Sequence, residues 1–126
     1  MKKLLNNARR GFTLVEIMIV VLIIGILLAI AVPNFIRARE SSRAKSCISN
    51  LKQIDSAKEQ WAMDNKKTSA DTPGDADLYG ADKYVKSAPA CPSSGTYTIA
   101  AVGTAPTCSV GDNGTAADPT DDHILP

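Results

Sequence analysis

The chain has 126 residues, 44% of them apolar, and a formal net charge of +1, figures that suit one small domain until they are mapped along the sequence. Phe12 to Val32 holds 18 apolar residues in 21 positions, whereas Asn34 to Pro126 holds 34, of which 14 are alanine. So little bulk cannot build a thick core. The soluble part therefore needs a cross-link, a metal or another surface to pack on, and a large enzyme with a deep pocket is excluded.

Charge divides the chain further. Met1 to Gly11 carries Lys2, Lys3, Arg9 and Arg10 with no acid, and Phe12 to Val32 carries only Glu16. Arg37 to Lys67 has eight basic and four acidic residues, and from Thr68 onward two basic residues face eight acidic ones. Basic residues ahead of an apolar stretch orient it with the N-terminus in the cytoplasm. At 1.5 Å per residue the 21-residue stretch reaches about 31 Å, the thickness of a bilayer's hydrocarbon core. A secretory leader is the rival reading, since Ala29-Ile30-Ala31 imitates a small-residue cleavage site, but the run is longer than the usual leader core.

A carboxylate near the start of such a span is costly and calls for a partner or a function, or else sits at the interface. Glu16 belongs to the string Arg9-Arg10-Gly11-Phe12-Thr13-Leu14-Val15-Glu16, followed by unbroken apolar residues. That string resembles the processing site of type IV prepilins and type II secretion pseudopilins, strongly over about the first 50 residues and only in general design beyond.

The resemblance implies a chemistry done to the protein. A prepilin peptidase would cut between Gly11 and Phe12 and methylate the new amine of Phe12, leaving 115 residues with 10 basic and 13 acidic side chains. Glu16, fifth in the cleaved chain, would face the N-terminal amine of a neighbouring subunit, where leaving either charge unpaired in a low-dielectric core is worse than pairing them. The expected partners are other copies in a helical filament, the peptidase, an inner-membrane assembly platform and, before assembly, the membrane itself.

Gly25 weakens the helix by about 1 kcal/mol relative to alanine, and Pro33 removes an internal hydrogen bond. The two are expected as helix-break points, with the stretch between them melting in assembled filaments or simply kinking at the membrane edge. Beyond Pro33, the residues Ala44, Cys47, Ile48, Leu51, Ile54, Ala57 and Trp61 recur every three or four positions and predict an amphipathic helix over 34–67. Asn65-Lys66-Lys67 supplies its end, with Asn65 able to take the left-handed cap. The helix counted from Phe12 would be about 80 Å long. Arg37, Arg39, Arg43, Lys45, Lys52 and Lys58 could attract phosphates, but acids lie among them and no aromatic platform is interleaved, so a solvated face, or one paired with acidic heads of adjacent subunits, is expected and nucleic acid is not an expected partner.

The head is expected over 68–126. Thr72-Pro73-Gly74-Asp75 predicts a type II turn, and Asp75 to Gly80 an exposed connector. A short β segment is expected around Lys83 to Lys86, and a hairpin from Thr96–Val102 and Thr107–Val110. Cys91 and Cys108 bracket that hairpin, and a disulfide between them would contribute about 3 kcal/mol. Cys47 reads as a buried small hydrophobe, with pairing to either of the others as the second reading. Three cysteines and the distant His123 lack the short ligand spacing of structural zinc sites, so no zinc site is expected.

The acidic stretch Gly111 to Asp122 offers Asp112, Asp118, Asp121 and Asp122 as calcium ligands, as in the C-terminal loop of the major pseudopilins that the chain resembles; its spacing is not that of an EF-hand, and an ion-free acidic loop is the other reading. Ile124 and Leu125 are expected to dock on the head. No nucleophile lies near a base in any motif, so no catalytic residues are assigned.

The expected fold is therefore α+β: a basic leader over 1–11, a hydrophobic helix over 12–33, an amphipathic helix over 34–67, and a small antiparallel β head over 68–126. The expected function is that of a filament subunit, processed by prepilin peptidase and assembled as a type II secretion pseudopilus. A surface type IV pilus for adhesion, motility or DNA uptake is the alternative, and a single-span anchored protein that does not assemble is the second. The expected location is the bacterial inner membrane, N-terminus cytoplasmic and head periplasmic, and then a periplasmic or cell-surface filament.

Overall fold

The structure, a computed structural model, describes residues 10–111 and 122–126. Its elements are α1 (Leu14–Asp64), α2 (Asp75–Leu78), β1 (Tyr97–Thr98) and β2 (Thr107–Cys108). The chain divides into two compact units, Met1–Ile36 and Arg37–Pro126.

In the first unit α1 starts with a reciprocal cap. The Glu16 backbone N–H donates to the Thr13 hydroxyl at 3.2 Å, and the Glu16 carboxylate accepts from the Thr13 N–H at 3.4 Å. This is the capping-box arrangement that Thr-x-x-Glu allows. Every described residue from Arg10 to Ile36 is exposed. A helix apolar on all sides needs lipid or other protein around it, and this stretch is long and apolar enough to cross a membrane. In the single chain α1 is helical through Gly25 and Pro33, the two points where melting in filaments or a kink is expected. Proline removes one hydrogen bond of the ladder, and the bonds on either side hold a single chain in register.

In the second unit the expected stripe of α1 is the core-facing one. Ala44, Cys47, Leu51, Ile54, Ala57 and Trp61 are buried, Ile48 is half-buried, and Ala62 joins them. The helix ends in a Schellman motif: Lys67 N–H donates to the Ala62 carbonyl at 2.9 Å and Lys66 N–H to that of Met63 at 3.4 Å. The left-handed residue is Lys66 (φ 53°) and not Asn65. Asn65 instead turns its side-chain amide back onto the Trp61 carbonyl at 2.9 Å.

The segment that follows corrects two expectations. Gly74 has φ −84° and ψ 168°, which a type II turn does not allow at its third position, and it caps α2 instead. Its N–H donates to the Asp77 carboxylate at 2.9 Å. The expected exposed connector thus contains a helical turn whose Leu78 is fully buried. The β segment expected near Lys83 to Lys86 reduces to a single parallel bridge, Tyr79 with Val85.

The hairpin exists in the antiparallel register Tyr97↔Cys108 and Thr98↔Thr107, but each strand has two residues. The ladder stops because the chain finds other partners. Ala100 turns left-handed (φ 59°), and the N–H groups of Val102 and Gly103 donate to the carbonyls of Asp71 and Ser69 at 2.9 and 2.8 Å. A Cβ on Gly103 would meet that of Ser69 at 2.9 Å, so this close approach needs glycine.

Two small apolar clusters result. One joins Ile54, Ala57, Trp61 and Ala62 to Leu78, Val85, Ile99 and Val102. The other joins Cys47 and Leu51 to Cys91 and Cys108. Tyr97 packs against both. Lys58, expected on a solvated face, is fully buried: its ammonium donates to the carbonyls of Ala101 and Thr104 and lies 3.4 Å from Asp55.

Lys58→Met keeps the length of the side chain and leaves those carbonyls without their donor. It should destabilise the head by about 2–3 kcal/mol in urea unfolding followed by Trp61 fluorescence. Asp55 is half in solvent, so Asp55→Asn should cost less than about 1 kcal/mol in the same measurement.

Candidate functional site

The described part of the N-terminal motif is open. Gly11, Phe12 and Thr13 precede α1 in irregular backbone, and Phe12 is 80% exposed. A peptidase must take its bond in extended form, and the Gly11–Phe12 bond is not locked in a helix. A Cβ on Gly11 would meet nothing within 4 Å, so the chain's own packing places no demand for glycine there. Arg10 is exposed, and residues 1–9 lie outside the described part. Glu16, besides any partner in another subunit, holds the first turn of its own helix. That cap was legible as Thr-x-x-Glu but is easily overlooked beside the cleavage motif.

A second constellation lies in the head. Cys47 from α1, Cys91 from the segment after Ala90, Cys108 from β2 and His123 from the C-terminal tail are all buried, and their ligand atoms lie within 4.8 Å of one another. Long-range contacts bring them together. The Asn50 amide donates to the Ala90 carbonyl at 3.1 Å and to the Tyr97 hydroxyl at 3.0 Å, tying α1 to the residue before Cys91 and to β1. The register of the hairpin sets Cys108 opposite Tyr97. His123 N–H donates to the Gly111 carbonyl at 2.9 Å, which brings the tail beside the end of β2.

Cys91 opens a tight turn in which Ser94 is left-handed (φ 61°) and donates its N–H to the Cys91 carbonyl at 3.0 Å. A Cβ on Gly95 would fall 2.6 Å from Cys108 Sγ and 3.2 Å from Cys91 Sγ, so glycine lets the backbone close over the two sulfurs. Burial pushes the Cys47 thiol up to about 12. Burial also works to raise that of Cys91, but the backbone N–H groups of Ser93 and Gly95 at its sulfur hold it below its ordinary value. Burial raises the Tyr97 hydroxyl as well.

This cluster bears on two sequence expectations. Cys91 and Cys108 are neighbours, as the hairpin required, with their thiols free and their sulfurs 3.7 Å apart. The zinc-ligand set that the long spacing argued against is assembled in space, because helix, turn, strand and tail each deliver one donor. Of the tail residues expected to dock, Leu125 packs against the cluster, whereas Ile124 is exposed and His123 is the buried one. Cys91 Sγ and His123 Nδ1 are 3.8 Å apart, a nucleophile and base by type, yet both are sealed from substrate by burial.

Of the acidic residues considered for calcium, Asp112, Asp118 and Asp121 lie outside the described residues. Asp122 is described, and its Oδ1 is buried with no hydrogen-bond partner among the described residues. The basic residues do not form one stripe. Lys58 is buried, Arg43 pairs with Glu40 at 3.1 Å, and Arg37, Arg39, Lys45 and Lys52 are exposed.

Residues 6–32 match the prokaryotic N-terminal methylation motif. The type II secretion system core protein G of Klebsiella michiganensis is 29% identical over 110 residues, covering 78% of each chain. That of Escherichia coli is 29% identical over 106 residues, or 75% of this chain and 73% of its own. The type IV major pilin protein PilA of Myxococcus xanthus is 45% identical over 64 residues, which are 51% of this chain and 29% of that pilin. No solved structure matches with comparable significance. With its methylation motif, its unpartnered apolar helix and its small two-stranded head, the chain is similar to the pilins and pseudopilins, and most like a major pseudopilin.

Proposed function

We propose that this protein is the structural subunit of a type II secretion pseudopilus, cut between Gly11 and Phe12, methylated at Phe12 and polymerised through its apolar helix. The observation that carries the reading is the reach of the similarity. It extends over 78% of the chain with a type II secretion core protein G, whereas the higher identity to a type IV pilin is confined to 51%. The role is mechanical and not catalytic. In the membrane the leader's basic residues keep the N-terminus cytoplasmic and place the head on the periplasmic side. Loss of the leader removes those anchoring charges, and the helix exchanges lipid for the same face of other copies. The second reading, a surface type IV pilus, is favoured by the 45% identity to PilA. Filaments recovered by shearing from the surface of cells at native expression would select it.

Two substitutions at one position separate capping from charge pairing. Glu16→Gln keeps a side chain able to complete the capping box but removes the charge, and Glu16→Ala removes both. Both variants should still be cut and methylated, and both should lower recovered polymer by about tenfold or more, a loss of ~1.4 kcal/mol per contact. Wild-type polymer from Glu16→Gln would mean that Glu16 serves only its own helix.

A further inference from the structure

We propose that Cys47, Cys91, Cys108 and His123 bind a structural zinc ion through three thiolate sulfurs and the imidazole Nδ1, locking the head. Tetrahedral zinc with Zn–S near 2.3 Å and Zn–N near 2.0 Å separates two sulfurs by about 3.8 Å and a sulfur from a nitrogen by about 3.5 Å. Cys91 and Cys108 stand 3.7 Å apart at sulfur, Cys91 Sγ and His123 Nδ1 stand 3.8 Å apart, and all four ligand atoms fall within 4.8 Å. The donor set is soft and closed: three sulfurs and one nitrogen, all buried, as in structural zinc sites and unlike catalytic ones that keep an open position. The turn from Cys91 to Gly95 is shaped around it, since any Cβ at position 95 would enter the space beside both sulfurs.

A disulfide would use two of the thiols and leave the third, with the imidazole, packed against it to no purpose. Zinc uses all four. Binding is a coordination step without redox change: three thiols release three protons, the imidazole binds as the neutral ring, and the site carries a net charge of −1. It would join α1, the turn, β2 and the tail at one point. A head with two small apolar clusters has a physical need for such a tie. The inference does not depend on whether the filament is a pseudopilus or a pilus.

The test uses the full chain, extracted in detergent from native envelopes without chelator. Elemental analysis should give one zinc per chain. The reduced, metal-free chain titrated with cobalt(II) chloride should develop thiolate-to-cobalt charge-transfer bands and the visible bands of a tetrahedral ion. His123→Cys preserves four donors and should keep full stoichiometry with shifted cobalt bands, while Gly95→Ala should weaken zinc binding about tenfold or more. The unsubstituted chain carries the test on its own if a variant fails to fold. Absence of both zinc and the tetrahedral cobalt spectrum, iron in place of zinc, or a Cys91–Cys108 disulfide in the extracted protein would each overturn the proposal.

Discussion

From Phe12 to Ile36 the chain presents apolar side chains on every side of a helix and covers none of them itself. At about 25 cal/mol per Å² of apolar surface, such a segment is insoluble alone and must stay in lipid or be covered by other protein. The rest of the N-terminal design follows from that constraint. In the proposed reading a cleavable basic leader sets the direction of insertion, and the single carboxylate of the span lies at its first turn, where the cost of burial is lowest and the helix N-terminus attracts it. In the single chain that carboxylate bonds to the backbone of Thr13. In the proposed filament a neighbour's amine would therefore come to Glu16 in place of, or beside, a partner it already has.

The head meets the opposite difficulty, too little apolar surface. Its strands have two residues each, and its backbone is satisfied largely by loop-to-loop bonds, such as Val102 to Asp71 and Gly103 to Ser69. Polar side chains placed inside hold what packing alone cannot. Lys58 gathers the carbonyls of one loop, Asn50 ties α1 to Ala90 and Tyr97, and three thiols with an imidazole converge from four parts of the sequence. Tyr97 touches both apolar clusters and so links these two ways of holding the head.

What could be read from the sequence was what repeats or concentrates. The density of Phe12 to Val32 and the three-to-four spacing from Ala44 to Trp61 each state a helix many times over, and the basic-Gly-Phe-x₃-Glu string lies within the match to the N-terminal methylation motif. The head was readable only in outline, because its elements are shorter than any periodic signal. Four residues made α2, and the run Thr96 to Val102, which reads as a strand, leaves the ladder after Thr98 for partners in another loop. The thiol and imidazole cluster was hidden for a related reason. Ligand spacing reveals a site built on one local knuckle, whereas here Cys47 and His123 are brought in by the packing of a helix and a tail. Lys58 was misplaced because periodicity assigns a lysine to solvent unless carbonyls wait for it.

The central claim is that the apolar helix is released from its leader so that other copies can cover it. The most direct measurement is the intact mass of the chain extracted from its native envelope. The account predicts a chain that begins at Phe12 and carries one added methyl group. A mature population that still begins at Met1 would contradict it.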